Sequence, residues 1–206
     1  MSNLKILIAD DHTIVRMGIV SLLKMNDDFE VVGEAKNGKV AVSEALSKRP
    51  DVVVMDLMMP IMDGIAATKA IKAKLPETHV VLLTTFSLSD GIAEALAAGA
   101  EGAVFKSAAD TELVTAIRRV AAGKTYVSPD IKRLLASDPP IEALSPRQKE
   151  ILESITHGLS NTEIARQLGI SPTVVRDHTT ALFAKLGAAN RTEAVAIALR
   201  KQLLKI

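Results

Sequence analysis

Asp56 closes an unbroken apolar run, Val52-Val53-Val54-Met55, and a pair of acids, Asp10-Asp11, closes another, Ile6-Leu7-Ile8-Ala9. A carboxylate in such a place is either costly or functional, because an ionised group taken out of water without a partner is strongly disfavoured. Two runs of this kind predict parallel strands that deliver acids to one sheet edge, the carboxyl end, where open α/β sheets bind ligands. Three carboxylates gathered there cannot all stay ionised without a cation. Mg2+ suits them, being hard, oxygen-liking and held by one or two carboxylates together with waters and a phosphate. Such a site fits phosphoryl transfer, the metal offsetting charge on the phosphoryl oxygens while a carboxylate attacks. Thr84, closing a fourth apolar run, can bond a phosphoryl oxygen, and Lys106, closing a fifth, can pair with another as a point charge.

The elements that must carry these residues are legible as alternating patterns. Strands are expected near 5–9, 30–35, 51–55, 79–84 and 102–105, and helices near 13–26, 38–48, 64–74, 89–98 and 109–122. Strands alternating with helices of this length mean βα units and a parallel sheet. Asn37-Gly38, Pro50-Asp51, Leu75-Pro76, Gly99 and Gly123 punctuate the boundaries. The pattern divides the chain into a first domain at 1–124, a linker at 125–141 with one short helical piece, and a second domain at 142–206. No strand pattern survives beyond Leu144. Ser145-Pro146 opens a helix that ends near Gly158, Ser160 or Asn161 opens the next, Ser171-Pro172 a third, and Asn190 caps a fourth. The two central helices are separated only by Leu168-Gly169-Ile170-Ser171, the tight Gly-containing turn of a helix-turn-helix.

The totals set bounds. The 206 residues suffice for two modest domains, and 48% of them are apolar, enough for packed cores. Without cysteine the chain has no disulfide framework, thiolate metal site or Cys nucleophile. No apolar stretch approaches the roughly 18 residues of a membrane span, so no membrane partner is expected. The opening Met-Ser-Asn-Leu-Lys runs directly into an expected strand; no signal peptide and a cytoplasmic location are the expectation. Residues 1–124 carry 14 Lys/Arg against 16 Asp/Glu, a balance of −2, whereas 142–206 carry 9 against 6, a balance of +3. The second balance permits a nucleic-acid partner without demanding one. One Tyr, four Phe and no Trp leave little for base stacking.

Residues 4 to about 122 resemble a response-regulator receiver domain, through Asp10-Asp11-His12, Met55-Asp56-Leu57-Met58-Met59-Pro60, Asp63-Gly64, Leu83-Thr84, and Gly99-Ala100 through Lys106. The resemblance implies a flavodoxin-like (βα)5 fold in which Asp56 accepts a phosphoryl group from a phosphohistidine on a sensor histidine kinase. Asp10, Asp11, Asp56 and the backbone carbonyl of Met58 would hold Mg2+, and Thr84 and Lys106 would bind the phosphoryl group. The chain departs from the pattern at Ala103, where receivers often carry an aromatic residue three positions before the Lys. Met58 and Phe86 stand where polar groups often orient a hydrolytic water, which predicts slow self-hydrolysis of a phosphoaspartate.

Residues 144–199 resemble the NarL/FixJ, or LuxR-type, DNA-binding module. The matching text is Leu144-Ser145-Pro146-Arg147, Gly158-Leu159-Ser160-Asn161, Glu163-Ile164-Ala165, Leu168-Gly169-Ile170-Ser171, Val174-Val175-Arg176, His178, Lys185-Leu186-Gly187 and Asn190-Arg191-Thr192-Glu193-Ala194. The resemblance implies an all-α four-helix unit that lays the helix near 172–186 in the major groove of double-stranded DNA. Asn161, Val175, Arg176, Asp177, Thr180, Lys185 and Arg191 are the expected contact residues. Asp177 repels phosphates but can accept from cytosine N4. Thr180 and Ala181 replace a frequent Lys and Asn, so affinity per monomer is expected to be weak. Ala194, Val195 and Ala198 on the last helix are the expected dimer surface. In the family the unphosphorylated receiver often covers the reading helix, and phosphorylation frees it and favours homodimers.

Plainer readings exist for each residue. Asp56 can be a helix cap, Asp10-Asp11 a solvated turn, Lys106 a snorkelling surface residue, and Arg176 and Lys185 solvated helix cations. His12 reads as a helix-start residue, Asp63-Gly64 as a turn, and the cluster of Met55, Met58, Met59 and Met62 as packing. Two further functions compete with a transcriptional regulator that is not an enzyme. One is an adaptor whose C-terminal helices bind protein. The other is a small enzyme, either an FMN protein or an acid-site phosphatase. The first enzyme lacks a phosphate loop after strand one, the second lacks an acid at position 58, and neither accounts for the C-terminal half.

Overall fold

The computed structural model describes residues 3–85, 89–108, 110–201 and 203–204. The chain forms two compact units, Met1–Pro139 and Pro140–Ile206. In the first, apolar runs become the strands β1 (Leu4–Ala9), β2 (Phe29–Ala35), β3 (Val52–Asp56), β4 (His79–Thr84), β5 (Gly102–Phe105) and β6 (Tyr126–Val127). All pair in parallel in the order β2-β1-β3-β4-β5-β6. Strand order reverses beside β1, between β1 and β3, which makes that position the topological switch point. Helices α1 (Thr13–Lys24), α2 (Gly38–Lys48), α3 (Gly64–Lys74), α4 (Ser89–Ala97) and α5 (Asp110–Ala121) link the strands.

The central strands are buried on both faces, which explains their continuous rather than alternating apolar sequence. Leu7, Val53, Met55, Leu82 and Ala103 pack into one cluster, and Ile6, Ile8, Val52, Val54, Val81 and Val104 into the other. Helix starts are set by short polar side chains: Asn37 accepts from the Val40 N–H and Asp63 from the Ala66 N–H. Asp63 is thus a cap, as its turn reading implied.

The stretch expected as a linker, 125–141, has its helical piece but is no free tether over most of its length. Tyr126 and Val127 add a sixth strand to the sheet, and α6 (Pro129–Ser137) follows. Ile131 of α6 is fully buried in the cluster that contains Ile92, Ala95 and Ala103, with Leu134 and Leu135 against it. The Ser89 hydroxyl donates to Asp138 Oδ2 at 2.8 Å. Ile131 and Val127 are long-range contributions to the first core, and a local reading of Ser128-Pro129 and Pro139-Pro140 sees only their turn chemistry.

The second unit contains α7 (Pro146–Thr156), α8 (Asn161–Leu168), α9 (Pro172–Leu186) and α10 (Arg191–Arg200). Each start is capped by the residue before it: Ser145 and Ser160 form capping boxes with Gln148 and Glu163, Ser171 accepts from the Val174 N–H, and Asn190 from the Glu193 N–H. Gly169 ends α8 at φ 64°, a left-handed conformation that suits glycine and reverses the chain within a few residues. Ile151, Leu152, Ile155, Ile164, Leu182 and Ile197 fill the core of the unit. Among the described residues no helix is long and apolar enough to cross a membrane.

Candidate functional site

Asp10 follows β1, Asp56 ends β3, Thr84 ends β4 and Lys106 follows β5, so all four stand at the carboxyl edge of the sheet. Asp10, Asp56 and Thr84 are buried, and Asp56 is 3% exposed. Lys106 Nζ lies 2.7 Å from Asp10 Oδ2 and 2.8 Å from Asp56 Oδ2. Ligand atoms of Asp10, Asp11, His12 and Asp56 all fall within 4.8 Å of one another. His12, read from the sequence as a helix-start residue, is the residue before α1 but makes no side-chain cap bond. Its Nδ1 instead stands 2.8 Å from Asp11 Oδ1.

The electrostatics follow from burial. Burial pushes the Asp56 carboxyl above the usual carboxylate range, and Asp10 pushes it further. The Lys106 ammonium and the Met58 N–H pull it down without cancelling the rise. Burial also disfavours the Lys106 charge, but hydrogen bonds and attraction from Asp10 and Asp56 outweigh it and hold its pKa above the ordinary lysine value. One ammonium faces three carboxylates. Asp10 Oδ2 and Asp11 Oδ1 are sealed from solvent with no hydrogen-bond partner of acceptable geometry, although Lys106 and His12 stand at ion-pair distance. Three converging carboxylates that share one ammonium are the donor set a hard divalent cation takes, so the residues present fit Mg2+.

The loop after β3 is packed against Asp56. The Gly64 N–H donates to Leu57 O at 2.9 Å, and a Cβ on Gly64 would stand 2.2 Å from Asp56 O. Glycine there is a requirement of close backbone approach. Ile61, in the same loop, is 80% exposed at φ 71°, an outlier for a β-branched residue. Thr84 Oγ1 donates to Thr85 O at 3.1 Å. Phe86, expected to stand where a polar group often orients a hydrolytic water, lies outside the described residues.

In the second unit the expected contact residues separate into two groups. Arg176, Asp177 and Thr180 are exposed along one face of α9, with the Arg176 side chain 67% exposed, and Asn161 is half-buried at the start of α8. Val175 is fully buried in the core and is withdrawn as a contact residue. It belongs to the inward stripe Val175, Thr179, Leu182 and Leu186, whose spacing of four, three and four was present in the sequence. Lys185 reaches Ala143 O at 3.0 Å and Glu142 Oε1 at 3.1 Å, and Arg191 donates to Leu159 O and to Ile155 O. Both cations therefore tie their own unit together. On α10, Ala194 and Ala198 are buried with Ile197 and cannot form a dimer surface, and Val195 is half-buried; Ala196 and Leu199 face outward instead.

An acid pocket at the switch point of a parallel sheet, followed by a capped helix-turn-helix unit, defines a two-part chain of signal-receiving and regulatory halves. Residues 6–118 match the family described as the response regulator receiver domain, and residues 142–198 match the bacterial regulatory proteins of the luxR family. Transcriptional regulatory protein YdfI of Bacillus subtilis is 37% identical over 211 residues, covering 98% of each chain. Response regulator protein VraR of Staphylococcus aureus is 36% identical over 207 residues, 98% of this chain and 99% of VraR. A structure of RcsB from Salmonella enterica serovar Typhimurium, bound to a promoter in the presence of the phosphomimetic BeF3−, aligns with a TM-score of 0.71 at 31% identity over 97% of this chain and 99% of that one. The response regulator ChrA of a heme-sensing two-component system aligns with a TM-score of 0.60 at 36% identity, over 99% and 100%. The chain belongs to the two-component response regulators that join a receiver domain to a LuxR-type helix-turn-helix, a family of transcription regulators rather than enzymes.

Proposed function

We propose that Asp56 is the phosphoacceptor, and that its phosphorylation by a sensor histidine kinase in the cytoplasm controls sequence-specific DNA binding by the C-terminal unit. The observation that carries the reading is the carboxylate cluster at the switch point, with Lys106 Nζ 2.8 Å from Asp56 Oδ2. Asp10, Asp11, Asp56 and the Met58 carbonyl would hold Mg2+, which when bound supplies positive charge for the phosphoryl oxygens. An Asp56 carboxylate oxygen attacks phosphorus, the P–N bond of the phosphohistidine breaks, and the imidazole leaves with the bonding pair. Lys106 then pairs with a phosphoryl oxygen. Thr84 turns from Thr85 O to bond another, and this rotation is the first step of the change passed on through β4.

On the DNA side, the exposed face of α9 with Arg176, Asp177 and Thr180 reads the major groove, and Asn161 at the start of α8 meets a phosphate. The relative RcsB is bound to DNA through the same kind of chain. Lys185 and Arg191 support this face from within the unit rather than neutralising phosphates. Dimers form on phosphorylation, with Ala196 and Leu199 the outward apolar residues on α10. Dimerisation offsets the single exposed Arg on α9 through effective concentration.

The test is a selected duplex in a fluorescence-anisotropy titration at two salt concentrations, with and without beryllofluoride and Mg2+, on the natural chain and on Asp56→Asn. The expected result is salt-sensitive binding that the mimic strengthens only when Asp56 is present. Binding indifferent to the mimic removes the switch at Asp56. No selected binding in either state favours a protein-binding adaptor.

A further inference from the structure

Arg16 lies on α1, one turn beyond the acids, and is in none of the ligand sets above. Its Nη1 donates to the backbone carbonyl of Asp10 at 2.8 Å and its Nε to Glu34 Oε2 at 3.0 Å. The side chain is only 15% exposed. Three elements meet at this guanidinium: the end of β1, the start of α1, and β2 one residue from its end.

What Arg16 does is visible in the account of Asp10. The Asp10 N–H donates to Ala35 O at 3.0 Å. Its Oδ1 accepts from the His12 N–H at 2.8 Å, and its carbonyl accepts from Arg16. The remaining oxygen, Oδ2, is sealed from solvent and faces Lys106 Nζ at 2.7 Å, so the backbone and Oδ1 of Asp10 are held by the turn while Oδ2 stays within the charged cluster. The His12 N–H also holds the turn through Asp10 Oδ1, but the His12 side chain makes no cap bond and the first turn of α1 carries no acid, so Arg16 is the side chain of α1 that ties the helix to it. The job needs two N–H donors from one planar group, which arginine has and lysine lacks. Glu34 aligns the fork and neutralises it. An unpaired guanidinium so close to three carboxylates would compete with a divalent cation for them.

We propose that Arg16 and Glu34 are positioning residues for the divalent-cation site, holding the turn so that the Asp10 and Asp11 carboxylates converge on Asp56. This rests on the reading of Asp10, Asp11 and Asp56 as an Mg2+ site. Outer groups that orient metal ligands commonly alter affinity by about tenfold or more when removed.

The experiment is an Mg2+ titration of the full chain followed through backbone amide NMR shifts of Asp11 and Leu57, with thermal denaturation recorded separately. Arg16→Gln/Glu34→Gln removes the pair without changing net charge, so simple electrostatics cannot account for a loss. It is expected to weaken Mg2+ binding by about tenfold. Arg16→Lys, which keeps the charge and loses the fork, is expected to weaken it as well, and Glu34→Gln alone to weaken it through the freed guanidinium. Double-variant affinity within about twofold of the natural chain, or an Arg16→Lys variant equal to it, overturns the proposal even if thermal stability falls. An Asp10→Asn control separates the underlying reading: if the natural chain does not respond to Mg2+, or the control responds equally, the metal site itself is wrong.

Discussion

The two halves of the chain present charge in opposite ways. In the first unit Asp10 and Asp56 are sunk at strand ends, and Lys106 is pressed against both. In the second, Arg176 stands in solvent on α9, with Asp177 3.8 Å from it. The buried charges are held at high cost in a low-dielectric pocket, where a small chemical change produces a large field change. The exposed Arg costs nothing to keep and becomes useful only when a partner desolvates it. A sensor is served by the first arrangement and a reader by the second.

Five substitutions would break or sharpen that contrast. Lys106→Ala leaves buried carboxylates uncompensated, and the first unit is expected to lose stability near the low end of the roughly 3–5 kcal/mol of a broken buried pair. Added Mg2+ should restore part of it in a denaturant titration. A loss no larger than that of a surface lysine would mean that the pocket is wetter than its burial indicates. In the second unit, Val175→Ala should cost about 2 kcal/mol through the cavity it leaves. Its neighbour Arg176→Ala should stay within about 0.5 kcal/mol. The DNA readout should reverse this order, with Arg176→Ala flattening the salt dependence by about one counterion. A loss of DNA affinity in Val175→Ala at full folding, with the salt dependence unchanged, would return Val175 to the interface.

Smaller effects lie at the surface of the first unit. Ile61→Asn is expected to stabilise by about 0.5–1 kcal/mol, because asparagine tolerates positive φ and no burial is lost; a fall in melting temperature would show that Ile61 packs on something in solution. The smallest effect belongs to the exposed pair of Asp28 and Arg118, joined at 2.8 and 2.9 Å. Arg118 holds the Asp28 carboxyl below its usual range. A depressed folded pKa stabilises above the unfolded value, and that stabilisation disappears as pH falls through the folded one. The difference between the natural chain and Asp28→Asn should therefore vanish in strong acid, and at neutral pH stay under about 1 kcal/mol.

The buried site was legible because continuous apolar runs mark strands covered on both faces, and an acid closing such a run has few structural uses. Asp10, Asp56, Thr84 and Lys106 were all placed by that rule at the edge where they stand. The exposed site was less legible because adjacent residues on a helix point in different directions. Val175 and Arg176 are neighbours in sequence but face the core and the solvent, and only the stripe through Leu182 and Leu186 distinguishes them. Ala194 and Ala198 failed as surface residues for the same reason, sharing a stripe with Ile197. Lys185 and Arg191 were beyond any local pattern, since their partners, Ala143 and Leu159, lie tens of residues away. So were Arg16 with Glu34, and the packing of Ile131 into the first core.

The sixth strand has a practical consequence for anyone who cuts this chain. A fragment ending at Lys124 would strip Tyr126 and Val127 from β5 and leave unpaired backbone groups along a fully apolar strand, together with the empty socket of Ile131. Such an edge recruits strands from other molecules. Self-association of that fragment would be an artefact of the scissors rather than a property of the receiver, and a fragment carried through Pro139 should be free of it.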